Sequence, residues 1–329
     1  MAVTMADITK LRKISGAGMM DCKKALTEAE GDIDKAMEII RKKGQAIAAK
    51  RSDREAAEGC VLAKKDGEFA AIIALKCETD FVAKNEDFVA LTQQILDAAV
   101  ANKCKTLDEV KALSLGDRTV EQAVTDRSGI TGEKMELDGY NVVEGPYTTI
   151  YNHMNKNQLC TIASFNKASE ELAHNIAMQI AAMNPMAIDE AGVPESVKET
   201  EIKVAIEKTK AEQIQKAVEA AIKKAGFNLY IAESEEHLNE GVMKGNITEA
   251  QAQEIRDLKV KAAEQKEANM PQQMIENIAK GRLSKFLKEV CLLNQEDIMD
   301  GKKTVKEVMA EADPELQIVA FKRFTLRAE

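Results

Sequence analysis

A short apolar run, Ala70-Ala71-Ile72-Ile73-Ala74-Leu75, puts a β-strand into a chain whose composition otherwise favours helix. Upstream, Cys60-Val61-Leu62-Ala63 leads into Lys65-Asp66-Gly67-Glu68, and Asp-Gly between two apolar runs is a strong hairpin signal. Residues 59–83 therefore read as strand, turn and a return strand from Phe69 to Cys77. The return strand stops at Thr79-Asp80-Phe81-Val82-Ala83-Lys84-Asn85, where an acidic residue and a bulky aromatic sit side by side as cap-forming polar residues begin. The chain has only 8 Phe, so one placed among polar neighbours at a strand end is an unusual choice. Aromatics exposed at the ends of rigid elements are typical anchors for a partner surface. The alternative is a core Phe81 at a strand-to-helix corner with Asp80 as a helix cap, and composition alone leaves both readings open.

The rest of the composition sets the class. Aromatics are 4% of the 329 residues and Trp is absent, while Ala, Ile, Leu, Val, Met, Lys and Glu dominate. That balance favours helix with Met and small residues filling the core. Lys and Arg number 46 against 55 Asp and Glu, a net charge of −9. A general nucleic-acid binder is normally basic, so direct nucleic-acid binding is not expected, and an acidic surface suits a protein that meets other proteins. Cys22, Cys60, Cys77, Cys104, Cys160 and Cys291 are scattered, with no Cys-x-x-Cys and no histidine at zinc-like spacing. They read as reduced thiols of a cytoplasmic protein, with no metal and no cofactor expected. The start lacks a signal core and Arg-rich transit character, Met5 is a second candidate start, and no run approaches a membrane span.

Along the chain, residues 1–45 read as a three-helix bundle. Ile8, Leu11 and Ile14 mark one helical face, Ser15-Gly16-Ala17-Gly18 breaks it, and Met19, Cys22 and Leu26 face inward on the second helix. Asp32 caps the third helix, which carries Ile33, Ala36, Met37 and Ile40 and closes at Gly44. Residues 46–58 read as a helical linker. Residues 59–193 form a first half of the core: the hairpin, a helix capped by Asn85, a helical segment over 106–127, and a second sheet portion over 129–166. Within that portion, Tyr147 to His153 and Leu159 to Phe165 flank an Asn155-Lys156-Asn157 turn. An amphipathic helix from Ser169 to Met183 follows. Residues 194–270 read as a long antiparallel helical hairpin: Val197, Val204, Ala211, Val218 and Ala225 recur at sevens, Ile214, Ala221 and Ile222 add a partial second seam, and the tip lies at 227–247. Residues 271–329 complete the core, with Met274, Ile275, Ile278, Leu283, Phe286 and Leu287 docking a helix and Gln317 to Phe324 returning as a last strand. The fold class is α+β.

Familiar catalytic constellations are missing. There is no phosphate-loop motif, no Gly-x-Gly-x-x-Gly between strand and helix, and no Gly-x-Ser-x-Gly. His153 sits at a strand end where an imidazole can make a contact, His174 reads as structural and His237 as solvated. Cys77 tempts a nucleophile reading, but no base is placed beside it by sequence. No catalytic residue is assigned, and the chain is not expected to be an enzyme.

Two segments carry a family resemblance. Leu11-Arg12-Lys13-Ile14-Ser15-Gly16-Ala17-Gly18-Met19-Met20-Asp21-Cys22-Lys23-Lys24-Ala25-Leu26 resembles the amino-terminal signature of bacterial elongation factor Ts, and Cys77-Glu78-Thr79-Asp80-Phe81-Val82-Ala83-Lys84 resembles its second signature. Weaker likeness lies in Tyr151-Asn152-His153, in Ile176 to Ala182 and from Pro271 to Phe286, whereas 195–270 matches poorly. The resemblance implies guanine-nucleotide exchange on elongation factor Tu, the GTPase that delivers aminoacyl-tRNA during translation elongation. It implies a ubiquitin-associated-like bundle that docks on the GTPase domain, and contact through Thr79, Asp80, Phe81 and Val82, with Asp80 and Phe81 as the intruding pair. His153 matches a histidine that contacts the GTPase, and Met19 and Met20 belong to the amino-terminal signature. Ser15 stands where the family usually has Thr, which keeps a hydroxyl. The hairpin is longer than in familiar members, leaving open a homodimer through it or docking on the far domains of the GTPase. The ending Thr325-Leu326-Arg327-Ala328-Glu329 leads us to expect no further carboxy-terminal helix. The competing class is a helical adaptor or holdase that binds without nucleotide sensitivity; a thiol enzyme centred on Cys77 is a distant third.

Overall fold

Thr4 opens the first helix by a reciprocal cap: its hydroxyl accepts from the Asp7 N–H while the Asp7 carboxylate accepts from the Thr4 N–H. A computed structural model describes residues 3–327 of the chain, which divides into two units, Met1–Ile188 with Glu296–Glu329, and Asp189–Gln295. The first unit begins with α1 (Met5–Ser15), α2 (Met19–Glu28) and α3 (Ile33–Lys50), packed around Ile8, Leu11, Cys22, Leu26 and Ala36. Gly16 ends α1 at φ +71°, a left-handed cap that costs glycine little.

A hairpin follows, β1 (Glu58–Asp66) and β2 (Phe69–Cys77), then a single helical turn α4 (Asp80–Ala83) and the long α5 (Glu86–Ala101). Next come α6 (Leu107–Ala112), the two-residue strands β3 (Ser114–Leu115) and β4 (Arg118–Thr119), α7 (Val120–Thr131) and β5 (Met135–Glu144). The second sheet uses β6 (Tyr147–Asn152) and β7 (Leu159–Phe165), and α8 (Glu170–Met183) covers it.

In the second unit, α9 (Glu195–Lys224) and α12 (Glu249–Ala268) lie against each other, joined through the short α10 (Leu229–Ala232) and α11 (Glu235–Met243), and α13 (Gln272–Val290) lies along α9. The chain then returns to the first unit with α14 (Val305–Ala312) and β8 (Ile318–Thr325), the third strand of the second sheet.

Both main sheets are antiparallel, ordered β1-β2-β5 and β6-β7-β8. β2 is covered on both faces: Phe69, Ala71, Ile73 and Leu75 join Phe88, Ile95 and Leu96 of α5, while Ala70, Ile72 and Ala74 meet Cys160 and Ile162 of β7. A strand buried twice reads as a continuous apolar run because neither face must be polar. The order is thus helix, sheet, sheet, helix, with α8 fixed to β7 by the Thr161 hydroxyl donating to the Ala177 carbonyl at 2.9 Å.

The structure corrects several expectations. Residues 106–127 are not one helical segment, because the β3-β4 hairpin interrupts them and the Thr119 capping box restarts the helix as α7. The portion over 129–166 is divided, since β5 pairs with β2 in the first sheet while β6 and β7 build the second. Ile14 is 57% exposed and Met19 44% exposed rather than inward.

The third helix does not close at Gly44 but runs on to Lys50, so only part of 46–58 is helical. Gly44 is there for approach, not termination: α3 crosses α7 where Gly44 meets Gly129, and a Cβ on Gly129 would lie 2.1 Å from the Gly44 Cα. Arg41 of α3 adds an ion pair to Asp126 of α7 at 3.7 Å across the same junction and another to Asp117 in the β3–β4 turn at 2.7 Å.

In the second unit the sevenfold repeat is not the buried seam. Val197 and Val218 are half-buried, but Val204 is 53% exposed and Ala211 and Ala225 are exposed, whereas Ala205 and Ile222 are buried. A straight helix drifts about 20° per seven residues, so a strict repeat leaves the packed face over this length. The tip has its own small core, Ile222, Ala232, Leu238, Ala252 and Ile255. Met274, Ile275, Ile278, Leu283 and Phe286 are half-buried on α13, which lies in the second unit and packs along α9.

Candidate functional site

The corner after β2 is built by one cap. Thr79, not Asp80, is the N-cap of α4: its backbone is extended and its hydroxyl accepts from the Val82 N–H at 3.4 Å. Asp80 takes the first helical position, where a carboxylate suits the positive end of the turn. Val82 and Ala83 pack on the first core, which turns the neighbouring side chain outward. Phe81 is accordingly 84% exposed, and the core reading of this residue falls. Asp80 pairs with Lys84 at 2.6 Å, and that hydrogen bond holds its carboxyl below the usual range and raises the Lys84 ammonium. Asn85 then caps α5, accepting from Asp87 N–H at 3.0 Å and Phe88 N–H at 3.3 Å.

Beneath this turn lie two carboxylates that sequence reasoning gave no role. Glu133 accepts from the Thr79 N–H at 3.1 Å and from its hydroxyl at 2.7 Å. Glu78 accepts from the Lys134 N–H at 2.6 Å, from Arg54 at 3.0 Å and from Arg51 at 3.1 Å. The Lys134 amide foremost, then the two guanidiniums, outweigh burial and pull the Glu78 carboxyl down to about 2. Glu78 lies inside the resembling segment, so its place was readable but its partners were not. Glu133 is 54 positions from Thr79, and no local pattern links them.

His153 stands just past β6, half-buried, with Nδ1 3.2 Å from the Tyr151 hydroxyl. The following Met154 holds φ +54° and is 64% exposed, a feature no sequence pattern announced. Met20, 64% exposed, and Met19 stand at the start of α2 beside the Gly16 cap. Thr79, Asp80, Phe81 and Val82 therefore share one turn, whereas His153 and the two methionines occupy separate elements. His174 is exposed, not structural, with its ring edge-on to Tyr151 at 5.6 Å. His237 is not simply solvated: it stacks on Tyr230 at 4.3 Å and its Nδ1 lies 3.0 Å from the Tyr230 carbonyl.

Cys77 is buried, and burial foremost, then the Glu133 charge, pushes its thiol up to about 12, which removes the nucleophile reading. Among the described residues no cluster of His, Cys, Asp and Glu could hold a metal, and no helix is long and apolar enough to cross a membrane.

A family model for elongation factor Ts matches residues 78–328, which begins at the corner itself. The chain belongs to the elongation factor Ts family. It is 80% identical to the elongation factor Ts of Parabacteroides distasonis over 329 residues, covering all of both chains. It is 46% identical to that of Porphyromonas gingivalis and 39% identical to that of Azobacteroides pseudotrichonymphae, again over the full length of each. Since the elongation factor Ts relatives align end to end, the long hairpin is part of the alignment and not an insertion peculiar to this chain. As a member of this family the protein is a translation elongation factor.

Proposed function

We propose that the protein is a guanine-nucleotide exchange factor for elongation factor Tu, with Asp80 and Phe81 inserted beside the magnesium site of the GTPase. The observation that carries this reading is a Phe 84% exposed on a turn anchored at its base, an apolar ring kept in water on a stiff support. A GTPase holds GDP through loop amides on the phosphates and a magnesium ion bridging oxygens. An exchange factor need only bind the empty, distorted GTPase better than the loaded one. A thousandfold weakening of GDP requires about 4 kcal/mol of differential binding. Burying a Phe ring supplies roughly 1.5–3 kcal/mol of that, provided the slot opens only in the distorted state. Asp80, freed from Lys84, brings a carboxylate toward the water shell of the ion. His153 presses on an element near the phosphate loop, and Met19 and Met20 extend the contact onto the GTPase domain. Both GDP-bound and empty forms of the partner are engaged, in the cytoplasm.

Reciprocity gives the test: the factor by which the protein weakens GDP is the factor by which GDP weakens the protein. Titration of elongation factor Tu calorimetrically, without nucleotide and with saturating GDP, is expected to show affinities differing by about two orders of magnitude or more. Equal affinities would favour the adaptor reading.

A further inference from the structure

The Thr79–Asn85 segment is held at both ends by α7 and the loop that follows it. At its start, the Glu133 carboxylate just past α7 takes the Thr79 N–H at 3.1 Å and the Thr79 hydroxyl at 2.7 Å. At its end, Arg127 near the close of α7 donates to the Asn85 side-chain oxygen at 2.8 Å and pairs with Asp87 at 3.1 Å. A one-turn helix cannot maintain itself, because nucleation fixes several dihedrals for a single hydrogen bond. The internal cap is also long, at 3.4 Å from the Val82 amide. The external polar partners, together with Val82 and Ala83 packed on the core, therefore decide where Phe81 points.

Glu133 is itself tightly placed. Gly132 ends α7 at φ +72°, the Ser128 hydroxyl donates to the Glu133 carbonyl at 2.5 Å, and the Glu133 N–H reaches the Thr131 hydroxyl at 3.3 Å. The next residue, Lys134, gives its N–H to Glu78 at 2.6 Å on the other side of Thr79. Adjacent residues of one loop thus take hold of Glu78 and Thr79 together.

We infer that Glu133 is the positioning residue of the exchange corner: its two hydrogen bonds to Thr79 preorganise the turn that presents Phe81, without touching the partner's nucleotide site. This deepens the exchange reading and rests on it. An ordered turn does not pay for ordering when the slot opens, so the gain falls on the step of GDP release and not on the first encounter.

The test is GDP release from elongation factor Tu measured against concentration of the full-length protein. Glu133→Ala is expected to lower the maximal rate about tenfold while shifting the half-saturating concentration less than about twofold. Glu133→Gln, which keeps an acceptor for the hydroxyl but not for both donors, is expected to fall between. Amide exchange of residues 79–85 rises in Glu133→Ala while the β2 amides keep their protection, which separates a loosened turn from a damaged fold. An unchanged maximal rate for both variants, or a loss carried wholly by the half-saturating concentration, overturns the role of Glu133 while leaving the exchange reading in place. No acceleration by the unmodified protein overturns the exchange reading and this role with it.

Discussion

Phe81→Ala is expected to lower the maximal rate of GDP release from elongation factor Tu by about 10- to 100-fold, the equivalent of the roughly 1.5–3 kcal/mol that a buried Phe ring contributes. The same substitution is expected to leave the protein's own stability within about 0.5 kcal/mol, as for surface changes away from special features. The two expectations follow from one fact: the ring is 84% exposed in the free protein and supports nothing there. Its neighbours Val82 and Ala83, not Phe81, hold the turn to the core. Stopped-flow release of a fluorescent GDP, set beside denaturant unfolding of the variant, reads both. A rate loss that follows a loss of stability would mean that the ring is structural after all.

Gly129→Ala is the second substitution with a large expected effect. The added methyl would stand 2.1 Å from the Gly44 Cα and 2.9 Å from its carbonyl carbon, so it meets backbone, which cannot rotate away. α3 must then move off α7, straining the Arg41–Asp126 pair that joins the two helices at 3.7 Å. Overpacking of this kind costs about 1–3 kcal/mol. The reverse substitution, Gly44→Ala, meets Gly129 only at 3.3 Å and should cost markedly less. Urea midpoints of the two variants check the order, and hydrogen exchange over 33–50 locates the damage. Equal midpoints would show that the crossing adjusts freely.

The difference between what was legible and what was not is a difference of range. The β-hairpin, the Asn85 cap and the last strand are written in neighbouring residues, since turns, caps and alternation are local, whereas composition leaves the exposure of Phe81 open. β2 reads as a strand from its apolar run, and the structure shows why the run is unbroken: both faces are covered. Gly44 was misread because a glycine that ends a helix and a glycine that admits another helix look alike until the partner, Gly129, is seen. Met19 and Ile14 fit a helical face by spacing, but the bundle is too small to bury every apolar side chain. In the helical hairpin, recurrence at sevens drifts around a 3.6-residue helix, and it picks out Val204, Ala211 and Ala225, which α9 leaves exposed. At the site, the motif located Phe81 and Asp80, yet the carboxylate that holds Thr79 comes from a loop far along the chain. Long-range polar pairs leave no periodic trace.

The most direct measurement is the dissociation rate of GDP from elongation factor Tu with and without the unmodified protein. Saturating protein is expected to accelerate release by about two orders of magnitude or more, a barrier lowered by roughly 2.7 kcal/mol or more. A release rate that stays the same at every concentration of a protein shown to bind the GTPase would contradict the exchange reading.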